Sequence, residues 1–436
     1  MKIRLYNARV LTMVPGQEIF EGEVWIRDNK IIYADKSSRV QEFFNENGRE
    51  MIIFDKEIDC EGNLIMPGFK DAHTHSAMTL MRSRADDLPL GDWLNNQIFP
   101  VEAKMTGEDI YTLTKLAILE YLTSGITAIF DMYLTPVTVA KACEDSGMRC
   151  VQVSAVNNFS QSPELVEEWF NTLNEPGALT SYMIGCHAQY TCSEELLKKL
   201  SSLTHKYKVP FFTHISETKS EHEECISITG KTPLAYLDSL GLFDFGGGGY
   251  HLVYADENDI ELMAKKNLFA VTNPGSNTKL ASGIAPVSDF LKAGVKVAIG
   301  TDGPASNNCL DMFREMFLVT GLAKLRDSDA SSVDALEVLK MATVNGAYAM
   351  GLNDCDAIAP GKKADIIMID LMQPNMQPIN NICKNLVYSG SKSNVKMTMI
   401  NGEIRYMDGK FYIGQDISEI YEESEKIKQR IDKELA

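Results

Sequence analysis

The chain lacks paired cysteines, a surplus of positive charge and any long apolar run, and each absence narrows what it does. Its 9 Cys are scattered over 436 residues, odd in number and never arranged as C-x-x-C. A disulfide framework is thereby disfavoured, and a reducing cytoplasm is the expected compartment. Lys and Arg total 42 against 60 Asp and Glu, a net charge of −18. A surface of that sign repels phosphate backbones, so nucleic acid is not an expected partner. No stretch approaches the ~20 apolar residues of a membrane span. Met1–Val10 has no uninterrupted apolar core, so a signal peptide is not expected there. Hydrophobic residues at 44% and charged residues at 23% are those of an ordinary soluble globular protein. Histidine is scarce too, at 7, which makes its placement informative.

This length suits one large barrel with a smaller second domain. Residues 1–65 alternate short β-type runs with turns: Ile3–Leu5, Gly22–Ile26, Ile31–Ala34 and Met51–Asp55. Over residues 66–353 short apolar runs alternate with longer amphipathic stretches, the rhythm of parallel β/α units. The expected strands are Leu64–Asp71, Ile126–Tyr133, Arg149–Ala155, Ser181–His187, Val209–Ile215, Tyr250–Tyr254, Phe269–Asn273 and Lys296–Thr301. Eight is the number that closes a (β/α)8 TIM-type barrel, an α/β fold. Helices are expected over Glu108–Thr123, Glu194–Tyr207, Glu257–Lys266, Ser288–Ala293 and Asp311–Leu325, and Gly246–Gly249 reads as a turn entering the sixth strand. Over residues 354–436 the β pattern returns in Asp365–Asp370, Asn385–Tyr388 and Val395–Ile400, with turns at Asn401-Gly402 and Asp408-Gly409. Residues 1–65 and 354–436 are expected to form one small β-sandwich domain, because the ends of an inserted barrel lie close together. The charged stretch Ile417–Leu435, with its Ile/Tyr/Ile stripe, reads as a helix on the surface or at an interface. Homo-oligomerisation is left open.

In a barrel of this kind the active site lies at the C-terminal ends of the strands. Five histidines fall there: His73 and His75 after the first strand, His187 after the fourth, His214 in the fifth and His251 in the sixth. His205 and His222 lie on helical stretches instead. Imidazoles at i and i+2 of an extended segment point the same way, so His73 and His75 can reach one ion. With His214 and Asp302, in Gly300-Thr301-Asp302-Gly303, they supply three imidazoles and a carboxylate. That is a ligand set for one divalent metal, Zn with Fe as the alternative. A remaining position suits water, whose pKa falls towards ~7 on zinc. Asp302 is placed both to ligate and to take the proton from that water. His251 is expected to steady the resulting hydroxide. Glu217, three residues after His214, is the candidate acid that protonates a substrate nitrogen while the adjacent carbon is attacked.

The chain resembles the amidohydrolase superfamily, and more narrowly the 5-methylthioadenosine/S-adenosylhomocysteine deaminases and their chlorohydrolase-like relatives. The resemblance rests on Met66-Pro67-Gly68-Phe69 leading into His73-Thr74-His75, Met78–Arg82, Trp93-Leu94 with Pro100-Val101-Glu102, His214–Thr218, Asn273–Asn277, Gly300–Asn308 and Pro360–Asp365. It implies one divalent metal on His73, His75, His214 and Asp302, and hydrolytic deamination of a small heterocyclic substrate with release of ammonia. By position, it makes Glu217 the ring-nitrogen acid and His251 the hydroxide-facing partner. It gives Glu102 the ribose hydroxyls, where two acceptor oxygens suit a diol, and His187 a contact to the nucleoside. Binuclear branches carry a carboxylated Lys at the fourth strand, and Ser181–His187 contains none, which favours a single ion. The S-adenosylhomocysteine-acting members carry arginines after the third strand, whereas here no Arg occurs between Arg149 and Arg314. The expected substrate is therefore a neutral 6-aminopurine nucleoside of methylthioadenosine or adenosine type, with Asn157, Asn158 and Gln161 as polar substitutes for those arginines. The alternatives are another heterocycle of guanine, pterin or triazine type, or a catalytically inactive binding barrel.

Overall fold

The computed structural model describes residues 1–47, 52–84, 86–88 and 90–436. Its strands fall into two sheets. The first draws β1 (Lys2–Val10), β2 (Phe20–Arg27), β3 (Lys30–Asp35), β4 (Lys56–Asp59) and β5 (Leu64–Pro67) from the start of the chain. The second is β6 (Phe69–Thr74), β7 (Ile126–Met132), β8 (Arg149–Val153), β9 (Thr180–Ala188), β10 (Phe211–Ile215), β11 (Gly247–His251), β12 (Phe269–Thr272) and β13 (Lys296–Ile299). The chain then rejoins the first sheet with β14 (Ile366–Ile369), β15 (Val395–Ile400), β16 (Glu403–Met407) and β17 (Lys410–Phe411).

Strands β6 to β13 pair in sequence order, all parallel, as a TIM-type barrel requires. The seam between β13 and β6 is closed by Asp302 N–H to His73 O at 2.9 Å and Thr301 N–H to the Asp71 carboxylate at 2.8 Å. Both closing bonds involve the segments that carry His73 and Asp302. Inward-facing Ala72, Phe130, Val153, Phe212, Tyr250 and Val271 fill the barrel interior. Outside, the helix Gly107–Thr123 shows how the surrounding helices form. Thr106 and Asp109 cap its start reciprocally. Ile110, Leu113, Ala117 and Tyr121 recur on one stripe and are buried against the barrel. The first sheet has a core of its own, drawn from both ends of the chain: Ile3, Leu5, Val24 and Ile58 with Ile366 and Met397. A buried bidentate pair, Arg149 to Asp365 at 2.6 and 2.9 Å, ties the start of β8 to this sheet.

Four expectations from sequence are corrected. The first barrel strand is not continuous over Leu64–Asp71. Gly68 N–H still bonds Asp365 O (3.0 Å), whereas Phe69 N–H bonds Gly125 O (2.9 Å), so the chain changes sheets between them. The sixth strand is Gly247–His251, not Tyr250–Tyr254, and its glycines are strand residues. A Cβ on Gly247 would lie 1.9 Å from Phe211 O and one on Gly248 2.3 Å from Phe269 O, so close approach of both neighbouring strands demands glycine. Asn385–Tyr388 belongs to a helix, Ile382–Tyr388, started by the Asn381 side chain accepting Lys384 N–H. Met51 lies outside the described residues, and the strand expected at Met51–Asp55 forms instead at Lys56–Asp59, beside β1. The last helix, Ile417–Leu435, buries Ile420 and Ile431 and packs on Gly107–Thr123. No helix among the described residues is long and apolar enough to cross a membrane.

Candidate active site

The strand ends converge on one mouth. His73 lies in β6, His75 just past it, His187 near the end of β9, His214 in β10, His251 at the end of β11, and Asp302 just past β13. Ser216, His251 and Asp302 turn sharply as they leave their strands, with φ of +51°, +71° and +60°. Such left-handed conformations are costly for residues with a side chain. His205 and His222 stay on helices outside this group. The former faces Asp244 at 3.1 Å and the latter Ser216 Oγ at 3.0 Å.

Three of the imidazoles are oriented through their far nitrogens, whereas the buried His73 Nδ1 has no hydrogen-bond partner among the described residues. His75 Nδ1–H donates to Met132 O at 2.6 Å, His251 Nδ1–H to Asn277 Oδ1 at 2.8 Å, and His214 Nδ1–H to His187 O. All three Nε2 atoms therefore face into the site. His214 Nε2 lies 3.1 Å from His73 Nε2, and Asp302 Oδ1 lies 3.2 Å from His75 Nε2 and 3.5 Å from His73 Nε2. Zinc–nitrogen bonds of ~2.05 Å place tetrahedral donors about 3.4 Å apart. The donor spacing fits a single small divalent cation. Taken mutually, the ligand atoms of His73, His214, His251 and Asp302 lie within 4.8 Å of one another, a set that holds His251 where the sequence led us to expect His75. Burial and the surrounding imidazoles hold His214 well below its usual pKa, so it is neutral and able to ligate. Burial alone would raise Asp302, but hydrogen bonds from His73 and His75 keep it well below the usual carboxylate range. Gly303 N–H at 2.8 Å and Ser306 Oγ–H at 2.9 Å fix its two oxygens.

Glu217 is buried beside this centre, its Oε2 3.9 Å from His251 Nε2, which is also 3.9 Å from Asp302 Oδ2. Burial pushes the Glu217 carboxyl up, the direction a proton donor near neutral pH needs. The site opens into a cleft with room of about 100 Å³. His187 and Glu102 both line it. Burial lowers the His187 imidazole to about 4, so it is neutral, and its backbone carbonyl is the group that orients His214. Burial raises Glu102 to about 7, against the hydrogen bond from Tyr133. Trp93, Leu94, Phe99, Leu134 and Leu280 form apolar walls, and no Lys or Arg among the described residues lines the cleft. Of the expected polar substitutes, Asn157 lines the cleft, and all three already make hydrogen bonds to backbone. Asn157 Oδ1 caps Phe159 and Ser160 N–H, Asn158 Oδ1 accepts Ser193 N–H, and Gln161 Nε2–H donates to Leu134 O. Sequence reasoning gave no role to Asn277, Ser306 or Ser282, whose Oγ faces Glu217 Oε1 at 3.4 Å. The only signal for them was their place in or near the Asn273–Asn277 and Gly300–Asn308 motifs.

A family model described as the amidohydrolase family matches residues 64–405, which span the barrel and its return to the first sheet. The chain belongs to the amidohydrolase family. Within it, a 5-methylthioadenosine/S-adenosylhomocysteine deaminase of Pelotomaculum thermopropionicum is 38% identical over 431 residues, 97% of each chain. Another of that name, from Syntrophomonas wolfei, is 41% identical over 361 residues, 80% of this chain and 83% of its own. An adenosine deaminase from Xanthomonas campestris, solved with bound zinc, superposes with a TM-score of 0.92 at 29% identity, covering 99% of this chain and 98% of its own. This amidohydrolase is a hydrolytic deaminase with a candidate divalent-metal site.

Proposed function

We propose that this amidohydrolase removes the 6-amino group of a neutral purine nucleoside, of methylthioadenosine or adenosine type, and that S-adenosylhomocysteine is a poor substrate. The observation that carries the reading is the line Glu217–His251–Asp302, in steps of 3.9 Å, at the floor of a cleft lined by Glu102 and, among the described residues, by no Lys or Arg. The names of the similar deaminases support the purine class.

His73, His75, His214 and Asp302 would hold one divalent ion, zinc or Fe²⁺, with His251 facing the nucleophile. When bound, the ion supplies Lewis acidity that makes water nucleophilic near neutral pH. Asp302 accepts one proton of the attacking water as its oxygen bonds to C6. Glu217 meanwhile donates its proton to N1, the ring nitrogen next to that carbon. His251 Nε2, facing both carboxylates, steadies the water through a hydrogen bond. Asp302 then passes its proton to the amino group, the C–N bond breaks, and ammonia leaves. The second proton of the water, freed as C6–O becomes a carbonyl, restores Glu217. Glu102 accepts hydrogen bonds from the ribose diol, and His187 borders the nucleoside. The nine free thiols support a reducing, cytoplasmic setting.

The test is ammonia release by the zinc-loaded protein from methylthioadenosine, adenosine, S-adenosylhomocysteine, guanine, a pterin and a triazine. Fastest turnover of the first two is expected. Preference for guanine, the pterin or the triazine overturns the nucleoside assignment. Full metal occupancy with no turnover of any amine would make the chain a binding barrel.

A further inference from the structure

Glu315 takes no part in the chemistry above, yet its carboxylate joins the two loops that aim it. It lies in the first turn of the helix Met312–Asp327 and is fully buried. One oxygen, Oε2, accepts Gly275 N–H at 2.8 Å, and the other, Oε1, accepts Asn307 Nδ2–H at 2.8 Å. The first bond fixes the short helix Pro274–Lys279. That helix carries Asn277, whose Oδ1 accepts His251 Nδ1–H and whose backbone O accepts Ser282 N–H, and Ser282 faces Glu217. The second bond fixes Asn307, whose Nδ2 also donates to Thr301 O at 2.6 Å, the carbonyl just before Asp302. The approach is close on both sides. A Cβ at position 275 would sit 2.4 Å from Glu315 Oε1 and 2.7 Å from Asn307 Oδ1.

We infer that Glu315 is a positioning residue that sets His251 and Asp302 in register with each other from behind the site. The inference rests on the roles of those two residues proposed above. The geometry asks for two oxygens facing two donors, which a carboxyl group supplies and a carboxamide does not. A glutamine of the same shape cannot satisfy it. Its amide group must oppose either Gly275 N–H or Asn307 Nδ2–H, and turning Asn307 over brings an oxygen against Thr301 O.

The experiment is E315Q in the zinc-loaded full-length protein, with E23Q as a control for burying an altered carboxamide. Glu23 is a buried carboxylate of the first sheet, bonded to Arg4 and Trp25 and remote from the barrel mouth. For E315Q, kcat on methylthioadenosine should fall about 10- to 100-fold, and the zinc dissociation constant from chelator competition should rise by a similar factor. The nucleoside KM should move less than threefold, because the Glu102 side of the cleft is untouched. E23Q should leave kcat and zinc affinity unchanged whatever it does to the melting temperature. E315Q with both kcat and zinc affinity within twofold of the parent overturns the inference. If the proposed function fails, the zinc arm still reports on Glu315, since it needs no substrate. If E315Q does not fold, Asn307→Ser, which removes the bonds to both Thr301 O and Glu315 while leaving the Glu315 bond to Gly275 in place, is read in the same assays, and unchanged zinc affinity there is equally fatal.

Discussion

The absence of Lys and Arg among the described residues lining the cleft makes a quantitative demand on substrate choice. S-adenosylhomocysteine differs from methylthioadenosine by an amino-acid arm ending in a carboxylate. In this cleft that carboxylate finds no Lys or Arg among the described residues, only apolar walls such as Leu94, Phe99, Leu134 and Leu280 and neutral donors such as the Asn157 amide. A hydrogen bond to a charged group contributes about 1.5–3 kcal/mol, so an unpartnered carboxylate forfeits roughly 10- to 150-fold in kcat/KM. The parent protein is expected to favour methylthioadenosine by at least the lower figure. Leu134 follows β7, is half-buried and lines the cleft. An arginine there can lay its stem along the apolar wall and keep its head in water. Leu134→Arg should therefore raise kcat/KM for S-adenosylhomocysteine by about tenfold or more and lower it for methylthioadenosine. Initial rates of ammonia release with both substrates, for both proteins, decide the matter. A parent that turns over S-adenosylhomocysteine within threefold of methylthioadenosine refutes the reasoning.

Three further outcomes follow from the same geometry. Glu217→Gln keeps an N–H for the ring nitrogen but has no proton to give, so kcat should drop about 10²- to 10⁴-fold with KM within a few-fold, read by steady-state kinetics. Glu102 has its pKa raised to about 7 by burial. It is protonated below that pH and becomes a full acceptor for the ribose diol above it. The nucleoside kcat/KM should thus climb with a break near 7, and Glu102→Gln should remove that break from the pH profile. The helix Ile417–Leu435 grips both ends of the cleft wall, through Arg84 with Asp432 and through Arg430 with Asp109 and Lys104 O. Exposed pairs contribute about 0–1 kcal/mol, so Asp432→Ala should raise KM no more than about fivefold, with kcat unchanged and the charge-swapped pair R84D/D432R restoring it.

Residue spacing carried most of this architecture because period and punctuation are local. The strand–helix rhythm located all eight barrel strands to within a few residues, and helices such as Glu194–Tyr207 and Glu257–Lys266 fall where their apolar stripes and caps predict. The errors arise where a neighbour decides. Gly247–Gly249 read as a turn because nothing local shows that Phe211 and Phe269 crowd that strand from both sides. Asn385–Tyr388 has a strand-like apolar run, and one cap at Asn381 makes it helical. At the site, ionisable groups at strand ends were legible because the barrel assigns them a common face. The groups that aim them were not. Asn277, Glu315 and the His187 carbonyl act through single hydrogen bonds between elements far apart in sequence, and no spacing records such a bond.

Backbone strain separates structural positions from functional ones. Lys208 and Asp302 both adopt φ near +60°, at +55° and +60°. For Lys208 the conformation only ends the helix Glu194–Tyr207, its N–H bonding Thr204 O, and the side chain is exposed. A left-handed residue with a Cβ costs about 1–2 kcal/mol, of which glycine's extra chain entropy takes back up to about 1. Lys208→Gly should accordingly raise the denaturation midpoint by an amount worth about 0.5–1 kcal/mol and leave kcat unchanged. Asp302 offers no such gain. Its strain turns the carboxylate towards His73 and His75, where Gly303 N–H and Ser306 Oγ–H hold it. Relieving that strain with glycine removes the group the strain exists to aim. A Lys208→Gly protein with a lowered midpoint or an altered kcat would show that this helix end is coupled to the mouth of the barrel, and that the division drawn between the two kinds of strained residue is wrong.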